Sequence, residues 1–322
     1  ELPFIVPYGL AIFILLESVV VSRQFADALK ESENLSAHLQ KTNQAMERFV
    51  PREFFGLLGK QEITEIRLGD HAESEMAVMF VDIRDFTQIS ELMSPDENFA
   101  FINDYLRRMG PIVRRYGGFV DKYIGDAIMA LFPTGPDAAV SAAVDMKSEL
   151  LLLNHEREQK EKHSVSVGIG IHSGRLMLGT IGEAQRMDGT VISDAVNLAA
   201  RLETLTKEFG AEALISGAAL NKLTPEQMPT VRCLGQVRVK GKDRPVSVFE
   251  ILDGPDREAR ARKLTTLIQF EAGTAAMETD DFETAITNFH EVLVRDPRDI
   301  ITQKYLEKAE QALEASRMPE GC

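Results

Sequence analysis

Apolar and polar positions divide the chain into four stretches of different character. From Leu2 to Val21 nearly every residue is apolar, with Glu17 and Ser18 the main exceptions. A run of about 20 such residues is long enough to cross a bilayer as a helix, and a carboxylate within it is tolerated near the interface or against neighbouring helices. The pattern predicts a transmembrane helix over 1–22. A buried core helix is the alternative, and a signal peptide is disfavoured because no small-residue cleavage site follows. The sequence starts at Glu1 rather than Met, so this run is expected to be the last span of a longer membrane region, with Arg23 onward in the cytoplasm.

The second stretch, 23–50, is polar with a helical period. Phe25, Leu29, Ser32, Ser36, Leu39, Asn43, Met46 and Val50 alternate four and three apart, the spacing of a coiled-coil seam. Two serines and an asparagine make the seam poor, which suits a marginal parallel dimer that shifts between states; a solvated amphipathic linker is the other reading. Pro51 should end the helix, and 51–75 reads as a connector.

In the third stretch, 76–253, short apolar runs alternate with helical periods. Strands are predicted at 76–82, 164–172 and 212–216. A hairpin of 119–123 and 127–132 should turn at Gly125-Asp126, and a second, 231–240 with 245–252, around Lys240-Gly241-Lys242. Helices are predicted at 94–116, opening on the capping sequence Ser94-Pro95-Asp96-Glu97, at 137–157 and at 193–209. Gly110-Pro111 should kink or interrupt the first of these. Hairpins need no crossover, so the expected fold is α+β, an antiparallel-dominated sheet flanked by helices, rather than a doubly wound parallel sheet. The fourth stretch, 254–322, is a separate helical tail.

Composition narrows the function. Among 322 residues, 44% are hydrophobic and 27% charged, with a net charge of -14. That balance argues against a general nucleic-acid partner, since polyanion binding rests on Lys and Arg. A phosphate ligand would need a local cluster or a metal. Two cysteines, Cys233 and Cys322, suggest neither a disulfide scaffold nor a zinc site and fit a reducing cytoplasm.

The chemistry centres on Met79–Phe132. Asp82 lies inside an apolar strand, and Asp126 follows on the predicted hairpin. Acids set among apolar strands are costly unless paired or metal-bound, so the two suggest a shared cation. Asn197 and Arg201 are four apart and share a helical face. Gly168-Ile169-Gly170-Ile171-His172-Ser173-Gly174 has the wrong spacing for a dinucleotide fingerprint and reads as a strand and turn, with His172 structural.

Four blocks carry a family resemblance: Phe80-Val81-Asp82-Ile83-Arg84-Asp85-Phe86-Thr87, Asp121-Lys122-Tyr123-Ile124-Gly125-Asp126, Val196-Asn197-Leu198-Ala199-Ala200-Arg201 and Val239-Lys240-Gly241-Lys242. Together, over about Glu75–Asp253, they resemble the signature blocks of class III nucleotidyl cyclase catalytic domains. The resemblance implies the class III cyclase fold and conversion of ATP to 3′,5′-cyclic AMP and pyrophosphate. It implies two Mg2+ or Mn2+ per active site on Asp82, Asp126 and the Ile83 carbonyl, and backbone amides of Asp85, Phe86 and Thr87 around the β- and γ-phosphates. Asn197 would orient the ribose, Arg201 would stabilise charge on the α-phosphate, and Lys240 or Lys242 would meet the outer phosphates.

Lys122 would donate to adenine N1 and Thr190 would accept from the 6-amino group, where guanylyl cyclases carry Glu and Cys; the Thr resembles that of a Thr-type subgroup. Family geometry places Lys122, Thr190, Asn197 and Arg201 in the partner's half of the site, which implies a homodimer with shared active sites. Asp85 departs from the small residue common at its position and adds negative charge near the phosphates unless it points away. The membrane run, short helix and catalytic domain also resemble bacterial membrane cyclases with a seven-transmembrane sensor module. A guanylyl or relaxed cyclase, or a non-catalytic cyclase-like signalling module, stays open as an alternative. In the tail, Gly273, Ala285, Phe289 and Pro297 fall at the spacing of one tetratricopeptide repeat. One repeat cannot bury its own face, so the tail should dock on the main domain or on its copy.

Overall fold

The computed structural model describes residues 5–46, 51–183, 185–237 and 245–317. The chain divides into two units, Glu1–Arg52 and Glu53–Cys322.

The first unit is one helix, α1 (Ile5–Met46), of 42 residues. No Gly or Pro occurs between Leu10 and Met46, so nothing separates the apolar run from the polar stretch and both wind into one rod of about 60 Å at 1.5 Å per residue. The segment Gly9–Asn43 is long and apolar enough, by composition, to cross a membrane, and none of its apolar window is buried, which removes the core-helix alternative. Phe25, Leu29, Leu39 and Met46 of the seam are exposed; Val50 lies outside the described residues.

The second unit runs α2 (Arg52–Leu57), β1 (His71–Ile83), α3 (Phe86–Glu91), α4 (Pro95–Arg115), β2 (Phe119–Ile124), β3 (Ala127–Phe132), α5 (Pro136–Gln159), β4 (Val167–Glu183), β5 (Arg186–Ile192), α6 (Asp194–Phe209), β6 (Ala213–Ser216), α7 (Gly217–Leu220), β7 (Val231–Val237) and β8 (Val246–Ile251). The helices α8 (Arg257–Thr265), α9 (Leu267–Glu278), α10 (Phe282–Arg295) and α11 (Ile300–Arg317) complete it. The strands form one sheet in the order β2-β3-β1-β4-β6-β8-β7, with β5 paired to β4. Every pairing is antiparallel except β4 with β6, as the predicted hairpins require.

Both faces of the sheet are covered, which is why Met76–Met79 in β1 is a continuous buried run instead of an alternation. On one face Met79, Val81, Ile169 and Ile171 pack with Tyr105, Met109 and Val113 of α4 and Ala142, Ala143 and Met146 of α5. On the other, α6 lies directly against β4. A Cβ at Gly170 would come within 2.2 Å of the Glu203 amide nitrogen, and one at Gly168 within 2.2 Å of Thr206 Oγ1. The glycine alternation that resembles a nucleotide fingerprint is therefore a helix-packing surface.

Two expectations are corrected here. The strand placed at 164–172 continues without a turn to Glu183 and folds back as β5, from Met177↔Ile192 to Glu183↔Arg186. That arm carries Gly174, Gly179, Gly182 and Gly189 and runs Leu176, Met177 and Leu178 together, so it lacks the strict alternation that a sequence pattern would catch. The second correction is that Gly110-Pro111 does not interrupt α4, which runs through it as one helix. Its buried stripe of Tyr105, Met109, Ile112 and Val113 outweighs the one backbone hydrogen bond that proline removes.

The tail docks on the main body, one of the two options expected. Phe270, Phe289, Val292 and Ile301 share a core with Leu198, Leu202 and Phe209 of α6 and with Leu214, Leu234 and Val248 of the sheet. A Cβ at Gly273 would meet the Phe289 ring at 2.5 Å, so glycine there sets the closeness of α9 and α10. At the junction Arg232 of β7 is wholly buried. Its Nε and Nη2 donate to Glu250 at 3.0 and 2.8 Å, Nη1 donates to Asp299 of the tail, and the guanidinium lies 4.3 Å over Phe270.

Removing one member of such a network strands the others as buried charges, so Arg232→Ala is expected to cost about 3–5 kcal/mol, read as a fall in thermal midpoint. Burial pushes the Asp299 carboxyl up, but Arg232 and the Thr302 hydroxyl more than offset it and it titrates below the usual range. A depressed acid stabilises above its unfolded pKa, so this contribution is lost as pH falls through about 4 and below.

Candidate active site

Asp82 stands one residue from the end of β1. Val81 and Ile83 point into the core, and the period of two turns Asp82 to the opposite face, where it is half-buried. The β2–β3 hairpin supplies the second acid. Gly125 takes φ 67° at its tip, a conformation glycine adopts without strain, and the register Val81↔Ile128 brings Asp126 alongside β1. Asp126 Oδ2 accepts from the Ile83 amide at 3.2 Å. The Asp82 carboxyl is pushed up to about 7, first by burial, then by its hydrogen bond with Asp126 and by the charges of Asp126 and Glu203. Two carboxylates this crowded hold a proton between them near neutral pH.

A divalent cation fits the pair, because it supplies the positive charge the two acids otherwise take from a proton. Among the described residues no cluster of three or more His, Cys, Asp or Glu side chains could hold a metal. The protein thus offers two carboxylates and leaves the remaining positions to water or to phosphate oxygens, the arrangement favoured by Mg2+ bound together with a phosphorylated ligand.

Three side chains near the pair were not picked out from the sequence. Glu203 of α6 is pushed up by burial and pulled down by Arg84. Its signal is positional: it lies four after Ala199 and three before Thr206, both buried, so an acid occupies the buried stripe of an amphipathic helix. Arg84 donates to the Ala211 carbonyl. Tyr105 is fully buried with a hydroxyl that has no partner among the described residues; burial, then Asp82 and Asp126, push that hydroxyl up.

Phe86 and Thr87 open α3 directly after β1. Asp85 precedes them in the left-handed region (φ 52°) and makes no side-chain cap to that helix. Its carboxylate turns instead to Lys207 Nζ, 2.6 Å away, a hydrogen bond that holds it below the usual range. The extra negative charge expected beside the phosphates is therefore already neutralised by α6.

Lys122 lies on the edge strand β2, where the pairing slips between Val120 and Lys122. The slip turns Asp121 inward, its side chain only 4% exposed, with Lys122 Nζ 3.3 Å from Asp121 Oδ2. Burial raises the Asp121 carboxyl and Lys122 pulls it back. Thr190 of β5 stands opposite Gly179 of β4. Asn197 and Arg201 occupy the exposed face of α6, opposite buried Leu198, Ala199 and Leu202.

Asp82, Ile83 and Asp126 are thus brought together, with the Phe86–Thr87 turn next in the chain. No hydrogen bond or ion pair among the described residues joins Asn197, Arg201, Lys122 or Thr190 to the acid pair. Lys240 and Lys242 lie outside the described residues. His172 is buried and its Nδ1 is 2.6 Å from Ser216 Oγ, a core placement.

Comparison with known proteins gives this arrangement a family. The family described as adenylate and guanylate cyclase catalytic domain matches residues 70–251. A curated adenylate cyclase of Anabaena cylindrica is 44% identical over 219 residues, covering 66% of this chain and 44% of that protein. The terminal-differentiation specific adenylate cyclase of Dictyostelium discoideum is 33% identical, covering 85% of this chain and 13% of its own length. The chain therefore spans less than half of either relative. Among solved structures, the adenylyl cyclase CyaB from P. aeruginosa is 30% identical with a TM-score of 0.52, over 58% of this chain and 97% of that one. A bacterial light-regulated adenylyl cyclase is 25% identical with a TM-score of 0.61, over 72% and 67%. With residues 70–251, more than half of its length, matching that family, the chain belongs to the adenylate and guanylate cyclase catalytic domain family.

Proposed function

We propose that this chain is an adenylyl cyclase that forms 3′,5′-cyclic AMP and pyrophosphate from ATP in sites shared between two copies. The observation that carries the reading is the Asp82–Asp126 pair, two half-buried acids forced together at the end of β1, immediately before the Phe86–Thr87 turn. Asp82 and Asp126, with the Ile83 carbonyl, would hold two Mg2+ or Mn2+. Bound there, the cations would lower the barrier by stabilising the attacking 3′-oxygen and the leaving pyrophosphate. The Phe86 and Thr87 amides and Lys240 or Lys242 would bind the β- and γ-phosphates, Asn197 would align the ribose, and Arg201 would meet charge on the α-phosphate with a planar fork of donors.

The exposure of Asn197 and Arg201 on α6 supports a site completed by a second copy. So does the apolar surface of the β4–β5 arm, where Met177, Ile181, Met187 and Ile192 are exposed. On this reading Lys122 and Thr190 select adenine, as in the Thr-type subgroup. α1 would anchor the protein in the cell membrane, with the catalytic unit cytoplasmic and the input coming from a region resembling a seven-transmembrane sensor. The test is direct: purified protein given ATP or GTP with Mn2+ should yield cyclic AMP from ATP far faster than cyclic GMP from GTP, and equal turnover of the two would overturn the base assignment.

A further inference from the structure

A cavity lies on the flank of the domain, on the α4–α5 side of the sheet. It is a half-open pocket with a volume of about 620 Å³, bordered by α3, α4, the end of α5 and the turn at 160–163, within the size range of small-molecule sites. Ile89, Met93, Phe101 and Leu153 give it apolar walls. Among the charged residues that line it Arg157 is the buried one: its residue is 7% exposed, and its guanidinium lies 4.4 Å over the Phe101 ring.

One donor of that guanidinium is accounted for, Nε to the His163 carbonyl at 2.8 Å. Among the described residues no carboxylate lies within ion-pair distance of Arg157, and Asp104 acts on it through charge alone. Of the four acids that border the cavity, Asp104 and Glu156 are engaged with Arg108 at 3.5 and 2.7 Å, Glu97 with the Ser94 amide and hydroxyl, both at 2.9 Å, and Glu161 is exposed. A buried guanidinium in the wall of a largely apolar cavity, with Lys160 and Lys162 at the rim, suits an anion with an apolar body. The planar fork of a guanidinium matches a carboxylate.

We propose that this cavity binds a small amphipathic carboxylate as an effector. The coupling route is a short stack. Phe101 lies beneath Arg157 and stacks on Phe86 at 6.4 Å, and Ile89, which lines the cavity, belongs to the same short helix as Phe86 and Thr87. An occupant that orders Arg157 and Ile89 bears on the turn assigned to the triphosphate. The binding claim stands apart from the catalytic reading, whereas the effector claim rests on it.

The experiment uses decanoate as the probe and decanol as its uncharged control, titrated calorimetrically into the whole protein without nucleotide or metal. Decanoate should bind at least tenfold more tightly than decanol, and Arg157→Gln should remove that difference. Equal affinity for the two probes, or no decanoate binding up to millimolar concentration, overturns the site; the wild-type comparison decides this even if Arg157→Gln fails to fold. In a second arm decanoate should shift the KM for ATP at least twofold in the wild type. Binding without that shift overturns the effector role and leaves the site, while absence of any cyclase activity with binding intact counts against the catalytic reading alone.

Discussion

Asp82→Asn is expected to lower cyclic-nucleotide formation by on the order of 10³-fold or more, because it removes half of the carboxylate pair that would hold the metal ions. The same change should stabilise the metal-free protein. With Asp126 beside it, Asp82 titrates at about 7 in the folded state. An acid whose folded pKa is raised favours folding below its unfolded pKa, and that advantage is lost as pH rises through the folded value. The wild type without metal should therefore lose stability between about pH 4 and pH 7. Asp82 is only half-buried, so screening limits the effect to on the order of 1–2 kcal/mol. Thermal unfolding across that range, with and without Mn2+, checks it: Mn2+ should raise the wild-type midpoint at pH 7 and leave the Asn variant almost unmoved. A variant that keeps its activity would remove Asp82 from the site.

The second large effect concerns the base. Replacing Lys122 with Glu and Thr190 with Cys should reverse the preference for ATP over GTP, changing the ratio of kcat/KM values by about 10³-fold or more, since a site built to hydrogen-bond one edge rejects the other by leaving polar groups unpaired. The neighbour of Lys122 adds a condition. Asp121 is buried with Lys122 Nζ at 3.3 Å, so a Glu at 122 would set two carboxylates side by side in a poorly solvated strand. The switch should fail or fold poorly as a double variant and succeed once Asp121→Asn is added. Product analysis of the double and triple variants separates these outcomes.

Much of this architecture was legible because local signals agreed with the final packing. The Ser94–Glu97 capping box, the Gly125-Asp126 turn and the acids at 82 and 126 each announce themselves through chemistry that only a few residue types can perform. What escaped notice has a common physical character. The β4–β5 arm buries Leu176, Leu178 and Val191 but exposes Met177, Ile181, Met187 and Ile192, so apolar residues on both of its faces blur the period that would mark it in the sequence. Glu203, Tyr105 and Asp121 are polar groups whose significance comes from neighbours distant in sequence, and Arg232 becomes a buried hub only when Asp299 of the tail arrives. Proline at 111 shows the converse, a strong local signal overridden by a buried helical stripe.

The central claim is that each site is shared between two copies, and complementation tests it most directly. Asp82→Ala and Arg201→Ala chains should each be nearly inactive alone. Mixed after dissociation and reassociation, they should recover up to about a quarter of the wild-type activity, because half of the random dimers are mixed and each mixed dimer has one intact site of its two. A mixture that stays as inactive as its components, with mixed dimers present, would contradict the account.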